Sequence, residues 1–169
     1  KDTMYRASAR VNTTALFGRD SLDRPKLTVN FEQSMFALED DTWLISSGPI
    51  DLKYDGIEIS EFLVNNRNQK LKIYGEYSRF DKGTVSCDLD GFSVSPFSRF
   101  VTRLGYRFDG LLDGKFLIHT NSQRKYFYSD INISSFRVND IAFKNSRFRS
   151  YWDENANRIS VSLINDDKQ

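Results

Sequence analysis

Apolar and polar residues alternate two by two along almost the whole chain, and almost nowhere do they recur at helical spacing. Residues 26–31 read Lys26-Leu27-Thr28-Val29-Asn30-Phe31, and residues 159–163 read Ile159-Ser160-Val161-Ser162-Leu163. Val85, Cys87 and Leu89 alternate in the same way with Ser86 and Asp88. Period two puts successive side chains on opposite faces of a sheet, so each run is a strand with one apolar and one wet face. A chain built this way carries a large continuous apolar surface, and what covers it is the functional question.

The 169 residues suit one domain spanning 1–169 and are enough to bury a core. Lys and Arg total 24 against 23 Asp and Glu, a net charge of +1. That balance supplies no long-range field for nucleic acid or an anionic membrane, and no nucleic-acid partner is expected. The 14 Phe and 8 Tyr are the aromatics of half-buried sheet positions. The longest apolar run, Met35-Phe36-Ala37-Leu38, is far too short for a membrane-spanning helix. No charged-then-apolar signal segment opens the chain. It begins at Lys1-Asp2 and enters strand-like sequence almost at once, as a section excised from a longer repetitive β protein would.

The phase of the alternation predicts the elements. Tyr5, Ala7, Ala9, Val11, Thr13 and Ala15 share one face of a long first strand, followed by a break at Arg19-Asp20-Ser21 and Pro25. Leu27 and Val29 lead the next strand, and Met35 to Leu38 turns through Glu39-Asp40-Asp41 into Trp43-Leu44-Ile45. Asp55-Gly56 is a two-residue hairpin signal. The returning strand carries Ile57 and Ile59, then shifts phase to Phe62 and Val64, which predicts a bulge. Asn65 to Asn68 loops to Leu71, Ile73 and Tyr77, and Asp81-Lys82-Gly83 turns into Val85, Cys87 and Leu89. Asp109-Gly110 and Asp113-Gly114 bracket a turn into Phe116-Leu117-Ile118. Ile131 and Ile133, Ile141 and Phe143, Phe148 to Trp152, and Ile159 to Leu163 supply the later strands. In all, roughly ten to thirteen short strands form an antiparallel all-β domain.

One segment reads as a helix, within 95–105. Ser95 can cap it, Pro96 fits its first turn, and Gly105 can close it. Phe97, Phe100, Val101 and Leu104 fall at i, i+3, i+4 and i+7 and should pack on the sheet. The residues in phase within well-marked strands are Leu27, Val29, Ile57, Ile59, Leu71, Ile73, Val85, Leu89, Ile131, Ile133, Val161 and Leu163. They are expected to face one common apolar side.

No catalytic constellation accompanies this pattern. His119 is the sole histidine and has no second His or Cys cluster with which to bind zinc, so it reads as a rim residue rather than a general acid or base. Cys87, the one cysteine, sits on the apolar phase and reads as a small hydrophobe rather than a reactive thiol. Asp88-Leu89-Asp90-Gly91 starts like a calcium loop but lacks the later ligands and the terminal glutamate. Arg124 to Tyr128 and Arg147 to Trp152 mix bases with aromatics, as an RNA-binding sheet would, yet the neutral charge favours ordinary strands with Arg on the wet face. No cofactor, metal or enzymatic activity is expected.

The Asp90-Gly91-Phe92 strand end comes before Ser95-Pro96-Phe97-Ser98-Arg99-Phe100, then Phe108 to Phe116, then the strands around Ile131-Asn132-Ile133 and Ile141-Ala142-Phe143. This order of features resembles the TamB family, the translocation and assembly module proteins of bacterial envelopes, which are AsmA-like. Gly56 to Ile59 and Asn68 to Gly75 extend the resemblance. It implies a sheet curled into a U-shaped trough, a β-taco, whose apolar lining serves phospholipid transport, outer-membrane protein assembly, or both. It also implies a periplasmic section of an inner-membrane-anchored protein. The implied partners are phospholipid acyl chains and, through the parent chain, an outer-membrane assembly barrel; the isolated section could pair as a homodimer. Two other readings fit the alternation: a closed, secreted β-sandwich that binds carbohydrate or acts as an adhesin, and a β-rich enzyme.

Overall fold

The computed structural model describes residues 6–38, 41–98, 105–120, 125–143 and 145–165. Its strands are β1 (Ala7–Arg10), β2 (Thr13–Arg19), β3 (Pro25–Phe31), β4 (Ser34–Leu38), β5 (Asp41–Ser47), β6 (Ile50–Lys53) and β7 (Gly56–Asn66). They continue through β8 (Gln69–Ser78), β9 (Gly83–Ser93), β10 (Phe108–Thr120), β11 (Lys125–Val138), β12 (Ile141–Ala142), β13 (Ser146–Asp153) and β14 (Arg158–Asn165). One short helix, α1 (Ser95–Ser98), lies between β9 and β10. All fourteen strands join in a single antiparallel sheet that curls without closing into a barrel.

The topology is simpler than fourteen strands suggest, because several are halves of one long crossing. Ala7 faces Leu38 and Arg19 faces Pro25, so β1 with β2 and β3 with β4 form a single long hairpin. The expected long first strand is therefore one crossing broken at residues 11–12. Asn12 straps the break: its N–H donates to Ser34 Oγ at 2.9 Å, and its carbonyl accepts the Glu32 N–H at 2.9 Å. Likewise β5 and β6 lie end to end against β7, parted by Gly48-Pro49, where proline has no N–H to give the ladder. Counted as crossings, the described chain passes back and forth ten times, and each pass lies beside the one before it.

The breaks align into a crease. From residues 12 and 32–33 it runs through Gly48-Pro49 to residues 60–61, where the Gly48 N–H donates to the Glu61 carbonyl at 2.9 Å. The register slips there between Ile59 and Phe62, which is the bulge that the phase shift predicts. Next across the sheet comes Gly75, with φ of +114°. A Cβ there would stand 2.0 Å from the Thr84 carbonyl oxygen, so only glycine lets the neighbouring strand come so close. Bulges bend strands, and a row of them folds a sheet.

Asp109-Gly110 and Asp113-Gly114 are not turns. They lie inside the 13-residue β10, at slips in its register with β11 and β9. Gly91, with φ of +52°, makes the matching irregularity in β9, and its N–H donates to Asp113 Oδ1 at 2.7 Å. The Asp55-Gly56 hairpin forms, but its two turn residues are Tyr54 and Asp55, since Gly56 already pairs with Lys53. Of the helix expected within 95–105, Ser95–Ser98 is helical; Phe100, Val101 and Leu104 lie outside the described residues. Gly105, beyond the described helix, has φ of +83°.

Candidate functional site

Strand register assigns every sheet residue to a face, because cross-strand partners point the same way. One row across the sheet reads Val29, Ile50, Ile59, Gly75, Val85, Ile118, Phe127. The next reads Ser47, Phe62, Ile73, Cys87, Phe116, Ser129, Ser150, Val161. A third reads Ile45, Val64, Leu71, Leu89, Gly114, Ile131, Phe148, Leu163. Leu27 and Ile57 share the flanking row with Phe17, Leu52 and Tyr77, and Ile133 pairs with Leu112 and Ser146 on the other side. All twelve residues singled out from the sequence thus fall on one face of the sheet.

This face is the concave one. Phe31 and Phe62 sit two crossings apart, roughly 10 Å along the sheet, yet their ring centroids are 5.5 Å apart. Trp43 and Phe92 sit three crossings apart, and their centroids are 5.2 Å apart. Such contacts need a sheet that closes toward the side bearing those rings. Small residues make room for them. Phe31 meets Phe62 above Ser47, and Phe116 packs edge-on to Phe127 at 4.4 Å beside Ser129. Ser129 and Ser150 are almost wholly buried, and their hydroxyls share a hydrogen bond of 2.8 Å.

Aromatic closure fills only part of the concavity. Trp43 and Phe92 are the buried large hydrophobics among the described residues. Elsewhere on the inner face Phe17 is 87% exposed, Val161 61% and Leu163 52%. The site is therefore an apolar trough with an open floor at both ends of the sheet. Cys87 lies half-buried in its middle row, where burial pushes its thiol pKa up and leaves it less reactive.

The convex face carries a ladder of charge beside a row of Tyr74, Leu117, Tyr128 and Tyr151. Lys72, Asp88, Lys115, Asp130 and Arg149 are successive cross-strand partners, so sign alternates from rung to rung. Lys72 reaches Glu61 at 2.6 Å, Lys115 reaches Asp88 at 3.3 Å, and Arg147 grips Asp130 at 2.6 and 2.5 Å. The hydrogen bonds from Arg147 hold the Asp130 carboxyl below the usual range, and those from Thr28 and Lys26 do the same for Asp51. The Lys72 and Lys115 ammoniums lie 5.2 and 5.8 Å from the Tyr74 ring. His119 sits on this convex side, its Nδ1 2.8 Å from Thr84 Oγ1, with Glu76 and Tyr126 next along the same row. Among the described residues no three His, Cys, Asp or Glu side chains gather as a metal site, and no helix is long and apolar enough to cross a membrane.

Reading the sequence for phase alone left out Trp43, Phe92, Phe116 and Phe148, which line the trough as much as the aliphatic residues do. Phe116 was within reach, since it stands two residues before Ile118. Trp43 and Phe92 were not, because their contact joins crossings whose proximity depends on the curl. Compared with protein-family models, curated proteins and solved structures, the chain matches none.

Proposed function

We propose that the concave face is a resting and passage surface for lipid acyl chains, in a non-enzymatic section of a TamB-like envelope protein. Its role would be phospholipid transport, outer-membrane protein assembly, or both, in the periplasm. The observation that carries this reading is a one-layer sheet on whose continuous apolar side no second layer lies among the described residues, beside large inner residues such as Val161 and Leu163 left more than half exposed. Soluble domains ordinarily cover such a surface. An acyl chain lying there leaves water at about 0.8 kcal/mol per buried CH₂, while its headgroup stays wet at the open side.

Native mass spectrometry of the purified chain, followed by solvent extraction, tests the proposal. Adducts of phospholipid mass that the solvent removes are expected. A chain free of lipid that also fails to take up added phospholipid would reject the acyl-chain reading.

A further inference from the structure

Three hairpins at one end of the crossings carry apolar side chains where turns ordinarily carry Gly, Asn, Asp or Ser. Leu22 lies in the 20–24 turn, Tyr54 in the 54–55 turn and Phe80 in the 79–82 turn; they are 69%, 69% and 54% exposed. Scattered exposed hydrophobics need no explanation, but these three are laced together. The Arg24 guanidinium pairs with Asp20 in its own turn and with Asp55 in the next, at 2.7 and 2.9 Å, and lies 6.0 Å from the Tyr54 ring. The Arg79 N–H then donates to the Asp55 carbonyl at 2.7 Å, joining the third hairpin to the second. The result is one pre-shaped rim with three apolar tips. Behind it, the outermost inner-face row carries the exposed Phe17, Leu52 and Ile57, so apolar surface runs from the rim into the trough.

We infer that this rim is a membrane-contact edge, which seats the three tips in the interface of a zwitterionic bilayer and brings the trough's lip to the lipid it receives. Tyrosine and phenylalanine at a wet boundary suit that depth, since an amphipathic ring can sit at headgroup level. The rim's charges balance in number: Arg19, Arg24, Arg79 and Lys82 against Asp20, Asp23, Asp55 and Asp81. Insertion of apolar tips, rather than attraction to anionic lipid, therefore drives the contact. The inference rests on the acyl-chain reading of the trough and adds where the lipid enters.

Flotation with phosphatidylcholine vesicles tests it, using the full 169-residue chain. The wild type should float, and a triple variant Leu22→Ser, Tyr54→Ser, Phe80→Ser should bind at least about tenfold more weakly, one decade being a modest share of three buried side chains. Single variants should lose binding in steps, which keeps the test open should the triple variant fold poorly. Tyr106→Ser with Ile141→Ser removes exposed hydrophobics from the opposite end and should leave flotation unchanged. Adding phosphatidylglycerol or salt should shift binding by less than about twofold. A wild type that stays in solution, rim variants that float like it, an equal loss in the opposite-end pair, or binding seen only with anionic lipid would each overturn the rim. Titration with a fluorescent fatty acid and no vesicles separates the two ideas. Rim variants should bind it as the wild type does, whereas a wild type that binds none counts against the trough itself.

Discussion

Ile73 and Lys72 are neighbours in β8 on opposite faces, and their surroundings differ as the alternation demands. Ile73 lies half-buried between Phe62 and Cys87, while Lys72 reaches out to Glu61. Replacing each with asparagine asks the same polar group to live on either side. Ile73→Asn should cost about 2–3 kcal/mol, from lost apolar burial and an amide without ready partners. Lys72→Asn should cost distinctly less, because it gives up one exposed ion pair. Urea denaturation of the two variants measures this, and equal midpoints would contradict the face assignment. At this scale most of the site was legible, since a period of two fixes the face of Ile73 from residues 71–77 alone. What stayed hidden were polar residues in inner positions. Ser129 and Ser150 break the alternation as text, yet in the sheet they are the low places beside which Phe116 and Phe127 close.

Among the strands, the charged rungs from Lys72 to Arg149 tie five neighbouring crossings and give the sheet an acid-sensitive side. Asp130, Asp51 and Glu61 are each held below the usual carboxyl range by a hydrogen-bonded partner: Arg147, Thr28 and Lys72 respectively. A carboxyl with a lower pKa folded than unfolded binds fewer protons in the native state. Its contribution is thus complete above the ordinary carboxyl range, near pH 4, and fades as pH falls toward the lowered value. Asp130→Asn should cost about 1 kcal/mol or less at pH 7, discounted for partial exposure, and the gap to wild type should be smaller at an acid pH below the ordinary carboxyl range of about 4. Urea midpoints at the two pH values check it; a gap that stays constant would mean Asp130 acts by packing rather than charge. Element boundaries were only partly legible. The bulge after Ile59 announced itself by a phase shift, but Asp-Gly at 109–110 and 113–114 signals positive φ without saying whether the chain then reverses or runs on. Turn and bulge ask for the same residue, and only the partner strand decides between them.

The whole molecule has far more surface than a compact chain of its mass. Its accessible area is 11997 Å² for 19.7 kDa, against about 8,600 Å² for a compact monomer of that size. From an unfolded area of about 28,600 Å², folding therefore hides roughly 58% rather than the ~70% usual at this length. The urea m-value should accordingly be about one-sixth smaller than that of a compact 169-residue domain. An m-value as large as a compact domain's would argue against a one-layer sheet. The curl was legible as a class, an alternating chain needing one covered side, but the crease was not, because it exists only once breaks in separate crossings line up. The strict back-and-forth order has a consequence of its own. Each crossing makes its ladder hydrogen bonds with the one before and the one after, and ring contacts that skip crossings, such as Trp43 with Phe92, are added by the curl. Such a sheet behaves as a one-dimensional array, assembled hairpin by hairpin from either end, with stability that adds unit by unit. Inserting or deleting a hairpin would change how far the structure reaches and leave its cross-section the same, so evolution can adjust its span like the number of links in a chain.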